Sequence, residues 1–404
     1  MGIDAVFARI DRDRDAALEN LIALCRIPAI GPENGGDGEA KKGAFVERLL
    51  KDLHLTVERF DAPDGRVPGG KRPNLVARVG KGPRVWFLCH LDVVPPGDRS
   101  AWRTEPFEPK LVDDRLYGRG TEDNGQALVS TLSAYRALIG EKMKPARPIG
   151  FACVADEESG SEFGVSHLLK QRVFHKGDSF VVPDWGTPDG AEIEIAEKGL
   201  LWLRFTVHGK QGHASLPQHA INAHRAGAYL VTLLDANLPQ RFPAADPLFR
   251  PRTSTFEPTK REANVPNVNT IPGEDIVYFD CRVLPSYRTK EVLSAVREFV
   301  DQTERAFRVK VDMEVVSSAA SPPTRADAPV VTALGTAIEE IRSVRPKLVG
   351  IGGGTLAGVL RAEGFDAAVW STTDEMGHSA DEYARPAYLV ADAKVFASVM
   401  ASGP

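Results

Sequence analysis

Apolar positions in the first half of the chain come in two alternating styles. RVWFLCHLDVV (Arg84–Val94) is almost continuously apolar, the pattern of a strand covered on both faces. PIGFACVADEE and SFVVPD repeat it, and each runs into acidic residues. LTVERF (Leu55–Phe60) and NLVARVG (Asn74–Gly80) read as further strands. Between them, Gly43–Asp52, Gly125–Ile139 and Val165–Gln171 carry helical spacing. So does the N-terminal stretch, an amphipathic helix with Phe7, Ile10, Leu18, Leu21 and Ile22 on one side. Strand–helix alternation of this kind predicts an open, mostly parallel sheet with helices on both faces.

Near Lys198 the pattern changes. GLLWLRFTVHGKQGHAS alternates apolar and polar residues, as a one-sided antiparallel strand does. A helix (Ala220–Asp235), the alternating run Asp275–Val283, a helix (Lys290–Glu304) and the strand VKVDMEVV come next. From Ala328 the first style returns, with a helix, KLVGIGGG, a helix at Leu356–Glu363, the strand AAVW and a C-terminal helix. The expected fold is therefore α/β: a mostly parallel-sheet domain made of residues 1–198 and 319–404, interrupted by a smaller α+β domain at 199–318.

Composition narrows the classes. The 404 residues are 43% hydrophobic and 26% charged, ordinary for a globular protein with a large core. The formal net charge of −5, with no basic stripe, argues against nucleic acid or an anionic membrane as partner. Cys25, Cys89, Cys153 and Cys281 are scattered and form no CxxC pair, so buried free thiols are expected. The N-terminus lacks an apolar signal region and no run of 18 apolar residues exists, which makes the expected location cytoplasmic.

The candidate chemistry lies where strands end. His90 and Asp92 close the first apolar run, and residues two apart on an extended chain face one side. Taken alone, His90 reads more readily as a satisfied histidine in a strand–loop corner than as a metal ligand. GRGTEDNGQ (118–126) sets Asp123 among glycines before a helix, where an N-cap would be the plainer role. Asp156, Glu157 and Glu158 end a buried strand, and three adjacent charges there need a cation or solvent to offset them. Asp184 follows SFVVP, chosen over Asp189 for its strand position, and His378 follows AAVW. Five ends of one sheet thus present His, Asp, Glu–Glu, Asp and His. Imidazole and carboxylate together suit divalent cations, so His90, Asp123, Glu158, Asp184 and His378 are expected metal ligands.

Other features are weaker. His54, His167, His175, His208, His219 and His224 read as helix or loop residues away from carboxylate clusters. His213, in Gly209–Ser215, is flanked by glycines and free to reach a neighbouring surface. LVGIGGGT imitates a dinucleotide fingerprint, but Thr355 takes the third-glycine position, and such a loop also suits a simple carboxylate. No Gly-x-Ser-x-Gly elbow occurs.

At this point the sequence resembles the zinc aminoacylase, carboxypeptidase-G and succinyl-diaminopimelate desuccinylase family of co-catalytic metallopeptidases. The matching motifs are HLDVVPPG with Trp102, Pro106 and Phe107, LYGRGTEDNG, ADEESGS, the GHAS turn and the late GHS. The resemblance implies two divalent ions per chain, most readily zinc, with cobalt or manganese as substitutes. Asp123 would bridge them, with His90 and Asp184 on opposite sides and Glu158 and His378 completing the two sets. Glu157 would be the general base and Asp92 the partner that orients His90. The inserted domain would be a lid that also carries a homodimer contact, and His213 would help hold the substrate carbonyl. Asn269, Arg282, Gly354 and Thr355 match positions that contact substrate.

The implied activity is hydrolysis of an amide bond in an N-acyl amino acid, as in succinyl-diaminopimelate desuccinylase or acetylornithine deacetylase. A metallo-dipeptidase or carboxypeptidase acting on small peptides is the alternative, and a non-catalytic metal-binding homologue is the other class. Asn124-Gly125 departs from relatives that carry a lysine there. Asp184 stands where many deacylases have Glu, and Asp is commoner among dipeptidase-like relatives.

Overall fold

Successive residues of the strand Val85–His90 enter two different cores. Val85, Phe87 and Cys89 join one apolar cluster, and Trp86 and Leu88 join another. Opposite faces of a pleated strand alternate in this way, and all six residues are buried. The structure, a computed structural model, describes residues 2–402. The chain divides into two units.

The first unit comprises the residues up to Ile195, Thr324–Val349 and the chain from Thr355 onward. Its eight-stranded sheet runs in the order Val57–Arg59, Leu75–Val79, Ile149–Val154, Val85–His90, Ser179–Gly186, Asp366–Ser371, Glu192–Glu197, Lys347–Ile351. The central four strands are parallel to one another; the first two pairings and that of Asp366–Ser371 with Glu192–Glu197 are antiparallel. The parallel centre matters most. His90 pairs with Val154, and Ser371 with Gly186, so the strands end together and the loops that leave them collect at one edge. Helices Ala127–Gly140 and Pro386–Ser402 pack on one face, and Val165–Lys170 and Leu356–Ala362 line the other.

Some expectations are refined. The N-terminal helix breaks at Asp13 into Ile3–Arg12 and Arg14–Cys25. Val6 and Ile10 are buried on the first piece, and Ala17, Leu21, Leu24 and Cys25 on the second, while Phe7, Leu18 and Ile22 are only partly covered. The strand Glu192–Glu197 is not among the expected ones, because its alternating carboxylates look solvated. Glu194 is in fact fully buried, paired with the guanidinium of Arg361 at 2.7 Å.

The second unit comprises Ala196–Pro323 and Gly350–Gly354. Its antiparallel sheet is ordered Thr255–Arg261, Glu274–Val283, Gly199–His208, Lys310–Ala319. Phe205, Val207, Val277, Phe279 and Cys281 point to one face and pack with Leu230, Leu234, Val296 and Val300 of the helices Ala223–Arg241 and Thr289–Phe307. Thr255–Arg261 is an edge strand carrying Pro258 at an irregular register, the place a sheet tolerates proline. His208 lies on a strand rather than a helix or loop, 3.0 Å from Asp312, and His224 lies 3.1 Å from Asp275. These two histidines therefore do have carboxylate neighbours, contributed by elements distant in sequence. All four cysteines are free and buried. Among the described residues no helix is long and apolar enough to cross a membrane.

Candidate metal centre

His90 ends its strand with a buried ring whose Nδ1 lies 3.0 Å from the carbonyl oxygen of Asp92. A carbonyl only accepts, so Nδ1 carries the proton and Nε2 is the nitrogen turned to the site. Nε2 lies 2.8 Å from Asp123 Oδ1 and 3.2 Å from Asp184 Oδ1. On the other side of Asp123, His378 Nε2 is 3.3 Å from its Oδ2 and 2.9 Å from Glu158 Oε2. Asp123 therefore offers one oxygen to each histidine. His90 and Asp184 share one side of it and Glu158 and His378 the other. This corrects the expectation of His90 and Asp184 on opposite sides: their strands are adjacent and parallel, which brings both residues to the same end.

Each of these side chains is set by backbone held from elsewhere. Glu382, fully buried, accepts hydrogen bonds from the amides of Gly120, Glu122 and Asp123 at 2.9–3.0 Å and from Arg119 Nη1 at 2.6 Å. That fixes the turn bearing Asp123. Gly120 sits there at φ +79°, and an added Cβ would meet Val93 Cγ1 at 2.7 Å, so the turn needs glycine twice over. The peptide between Asp123 and Asn124 is cis. Asn124 Nδ2 donates to Asp184 Oδ1 at 2.7 Å and to the Pro183 carbonyl at 2.9 Å, which aims Asp184. Glu122 accepts from the amides of Asp374, Met376 and Gly377 and so holds the loop carrying His378. A Cβ at Gly377 would come within 3.2 Å of Asp123 Oδ2, so this loop approaches closely only without a side chain there.

The triplet of carboxylates splits by role. Asp156, at φ +65°, turns inward to Arg72 Nη1 at 2.8 Å and to the Phe163 amide. Arg72 is fully buried and also engages Glu39, so Asp156 is offset by an arginine rather than by a cation in the site. The carboxylate of Asp92 accepts from the amides of Glu157 and Glu158 at 3.1 and 3.0 Å, which turns both glutamates back toward His90. Asp92 therefore acts on His90 chiefly through its carbonyl and on the glutamates through its carboxylate.

The electrostatics of this cluster call for positive charge. Burial, then the charge of Asp184, pushes the Glu157 carboxyl well above its ordinary range. Burial and Asp123 raise Glu158 to about 7. His378 is raised to about 10 by Asp123 and Glu158. Burial opposes a charge on His90, but Asp184 and Asp123 outweigh it and hold its pKa well above normal. Glu158 Oε1 is buried with no hydrogen-bond partner, a costly state that a cation would relieve. Two sets of three groups, His90–Asp123–Glu158 and His90–Glu157–Asp184, each bring ligand atoms within 4.8 Å of one another. The donor set of imidazole nitrogens and carboxylate oxygens fits zinc-like divalent ions. A cavity of about 420 Å³ opens beside Asp123, Asp184 and His378.

The remaining expected residues lie outside this cluster. His213 stands on a short ribbon of the second unit, paired with Thr270, and its Nδ1 accepts from the Ser215 amide at 3.2 Å. Asn269 belongs to the same ribbon, its carbonyl accepting from the Ala214 amide. Arg282 is engaged by Asp280 at 2.7 Å and by the Gly352 carbonyl at 2.9 Å. Gly354 is part of the second unit, whereas Thr355 caps the helix Leu356–Ala362 through its hydroxyl. Sequence reasoning missed Glu382, Glu122, Asn124 and Arg119. For Glu122 the available signal was a carboxylate among the glycines of GRGTEDNG, where backbone amides lack other acceptors; Glu382 has no such neighbours in sequence.

Comparison with known proteins agrees with this geometry. Residues 86–402 match the model of Peptidase family M20/M25/M40. An uncharacterised metallohydrolase of Methanocaldococcus jannaschii is 35% identical over 398 residues, covering 93% of this chain and 97% of that relative. Among solved structures, human carnosine dipeptidase 1 superposes with a TM-score of 0.78 at 19% identity, over 99% of this chain and 98% of its own. An aminopeptidase of Bacillus cereus gives 0.77 at 20% identity, over 96% and 98%.

Proposed function

The chain belongs to peptidase family M20/M25/M40 and is a metallohydrolase; on that premise we propose that it cleaves the amide bond of an N-acyl amino acid or a short peptide. The observation that carries this reading is Asp123 between two histidines, flanked by Glu158 and Asp184, with Glu157 beside them. His90, Asp123, Glu158, Asp184 and His378 would hold two divalent ions, most readily zinc. When bound, such ions supply Lewis-acid polarisation of the carbonyl and lower the pKa of water from 15.7 toward about 7.

The chain's own groups do the rest. Glu157 takes a proton from the attacking water and delivers it to the leaving amine. Asp92 holds the Glu157 amide and so sets where that carboxylate stands. On His213, Nδ1 accepts a hydrogen bond, which leaves Nε2 protonated and able to donate to a developing oxyanion. Arg282, Asn269, Gly354 and Thr355 remain candidates for gripping the rest of the substrate.

Glu157→Gln tests the assignment. Turnover should fall by roughly 10²–10⁴, the usual worth of a general base. Metal content, read by elemental analysis, should stay at the wild-type level. Normal turnover in this variant would refute the role of Glu157, and loss of metal would reassign it as a ligand.

A further inference from the structure

The cavity beside the metal centre holds a charged group that the proposed reaction does not use. Asp123, Asp184 and His378 border it, and no lysine or arginine lines it among the described residues. Glu375 also lines it, as an exposed carboxylate with no hydrogen bond or ion pair among the described residues.

Its neighbour gives the contrast. Asp374 is held by Arg385 at 2.6 Å, Tyr383 at 2.7 Å and Tyr388 at 3.0 Å. The loop is pinned further by Glu122 and by Thr373 Oγ1, which donates to the Gly186 carbonyl at 3.0 Å. Glu375 itself sits at φ +58°, where a side chain is disfavoured and glycine would be at ease. A carboxylate is thus displayed from a fixed loop, at a backbone position that does not favour it. The half-buried ring of Trp185 lines the same cavity, and aromatic faces attract cations.

We propose that this cavity receives the α-ammonium group of a peptide with a free amino terminus, with Glu375 as a specificity-determining residue. The inference rests on the amide-hydrolase reading and narrows it, favouring peptides over N-acyl amino acids. An α-amino group has a pKa of about 7.7–8.0, so it is largely protonated at neutral pH. Glu375 and Trp185 meet that charge. An N-acetyl group brings no charge for Glu375 to pair. An N-succinyl group brings a carboxylate instead, and the like charge of Glu375 disfavours it, so the same residue discriminates against the wrong ligand as well as attracting the right one.

The test uses the zinc-loaded enzyme and three substrates: a dipeptide, its N-acetyl form and its N-succinyl form. The wild type should prefer them in that order by kcat/KM. Glu375→Gln should raise KM for the free dipeptide about five-fold, the upper worth of an exposed ion pair, with the effect in KM rather than kcat. Glu375→Lys should shift the order toward the N-succinyl form. Glu375→Gly relieves the backbone and removes the charge, so it must raise KM in the same way; a KM left at the wild-type value in this variant overturns the proposal. Calorimetric binding of the three compounds to the Glu157→Gln enzyme should show the wild-type order without turnover. A wild-type preference for either N-acyl form, or equal effects of the variants on all three substrates, overturns the inference alone. No hydrolysis of any of the three despite bound metal overturns the hydrolase reading, and this inference with it.

Discussion

Glu382 touches no expected ligand of the metal ions except through backbone, yet its replacement should be felt there. Glu382→Gln keeps the shape and removes the charge. Four donors converge on this carboxylate: Arg119 and the amides of Gly120, Glu122 and Asp123. A glutamine oxygen can serve one pair of them, but its NH2 group then confronts the other pair. Leaving buried donors unsatisfied costs about 1–3 kcal/mol each, and breaking a buried ion pair about 3–5 kcal/mol. Arg119 keeps the carbonyls of Ser379 at 3.1 Å and His378 at 3.3 Å as acceptors, which places the expected loss near the lower end, about 3 kcal/mol. At about 2–4 °C per kcal/mol, the unfolding midpoint should fall by roughly 6–12 °C. Asp123 should also lose its fixed orientation, at a cost of about 10–100-fold in metal affinity.

The second effect separates positioning from mere stability. Glu194→Gln breaks another fully buried glutamate–arginine pair, with Arg361, and should destabilise to a similar degree. It should leave metal affinity close to the wild type. Scanning calorimetry and competition with a fluorescent chelator measure both quantities. Equal affinities in the two variants would refute the view that Glu382 sets the geometry of Asp123.

Two further outcomes are expected. Metal affinity should rise with pH, because Glu158 at about 7 and His378 at about 10 hold protons that a cation must displace. Both pKa values are raised, so lowering the pH fills the sites with protons and weakens binding. Calorimetry in two buffers of different ionisation heat counts the protons released, and a pH-independent affinity would contradict the assignment. The thiols should be inert in the folded protein at about pH 8, because burial pushes Cys25, Cys153 and Cys281 up to about 12 and Cys89 upward as well, which leaves little reactive thiolate. A chromogenic disulfide should titrate all four only after denaturation, and fast reaction of any one in the native protein would show an open path to it.

The information that the sequence carries by itself is local and periodic. A strand covered on both faces must be apolar throughout, so Val85–His90 and Ile149–Val154 announce themselves, and the polar residues at or just beyond their ends stand out as His90, Glu157 and Glu158. The alternation of Glu274–Val283 likewise announces a sheet with one covered face. Only tertiary structure could decide which charges meet. Glu382 reaches Arg119 across 263 positions of sequence, and Glu194 reaches Arg361 across 167. No periodicity encodes such pairs, so the strand containing Glu194 is invisible in the sequence, and Asp156 reads like its acidic neighbours although Arg72 claims it. The side of Asp123 on which Asp184 stands depends on strand order, which a single strand does not contain. A buried charge is readable only from its partner, and folding alone brings the partner near.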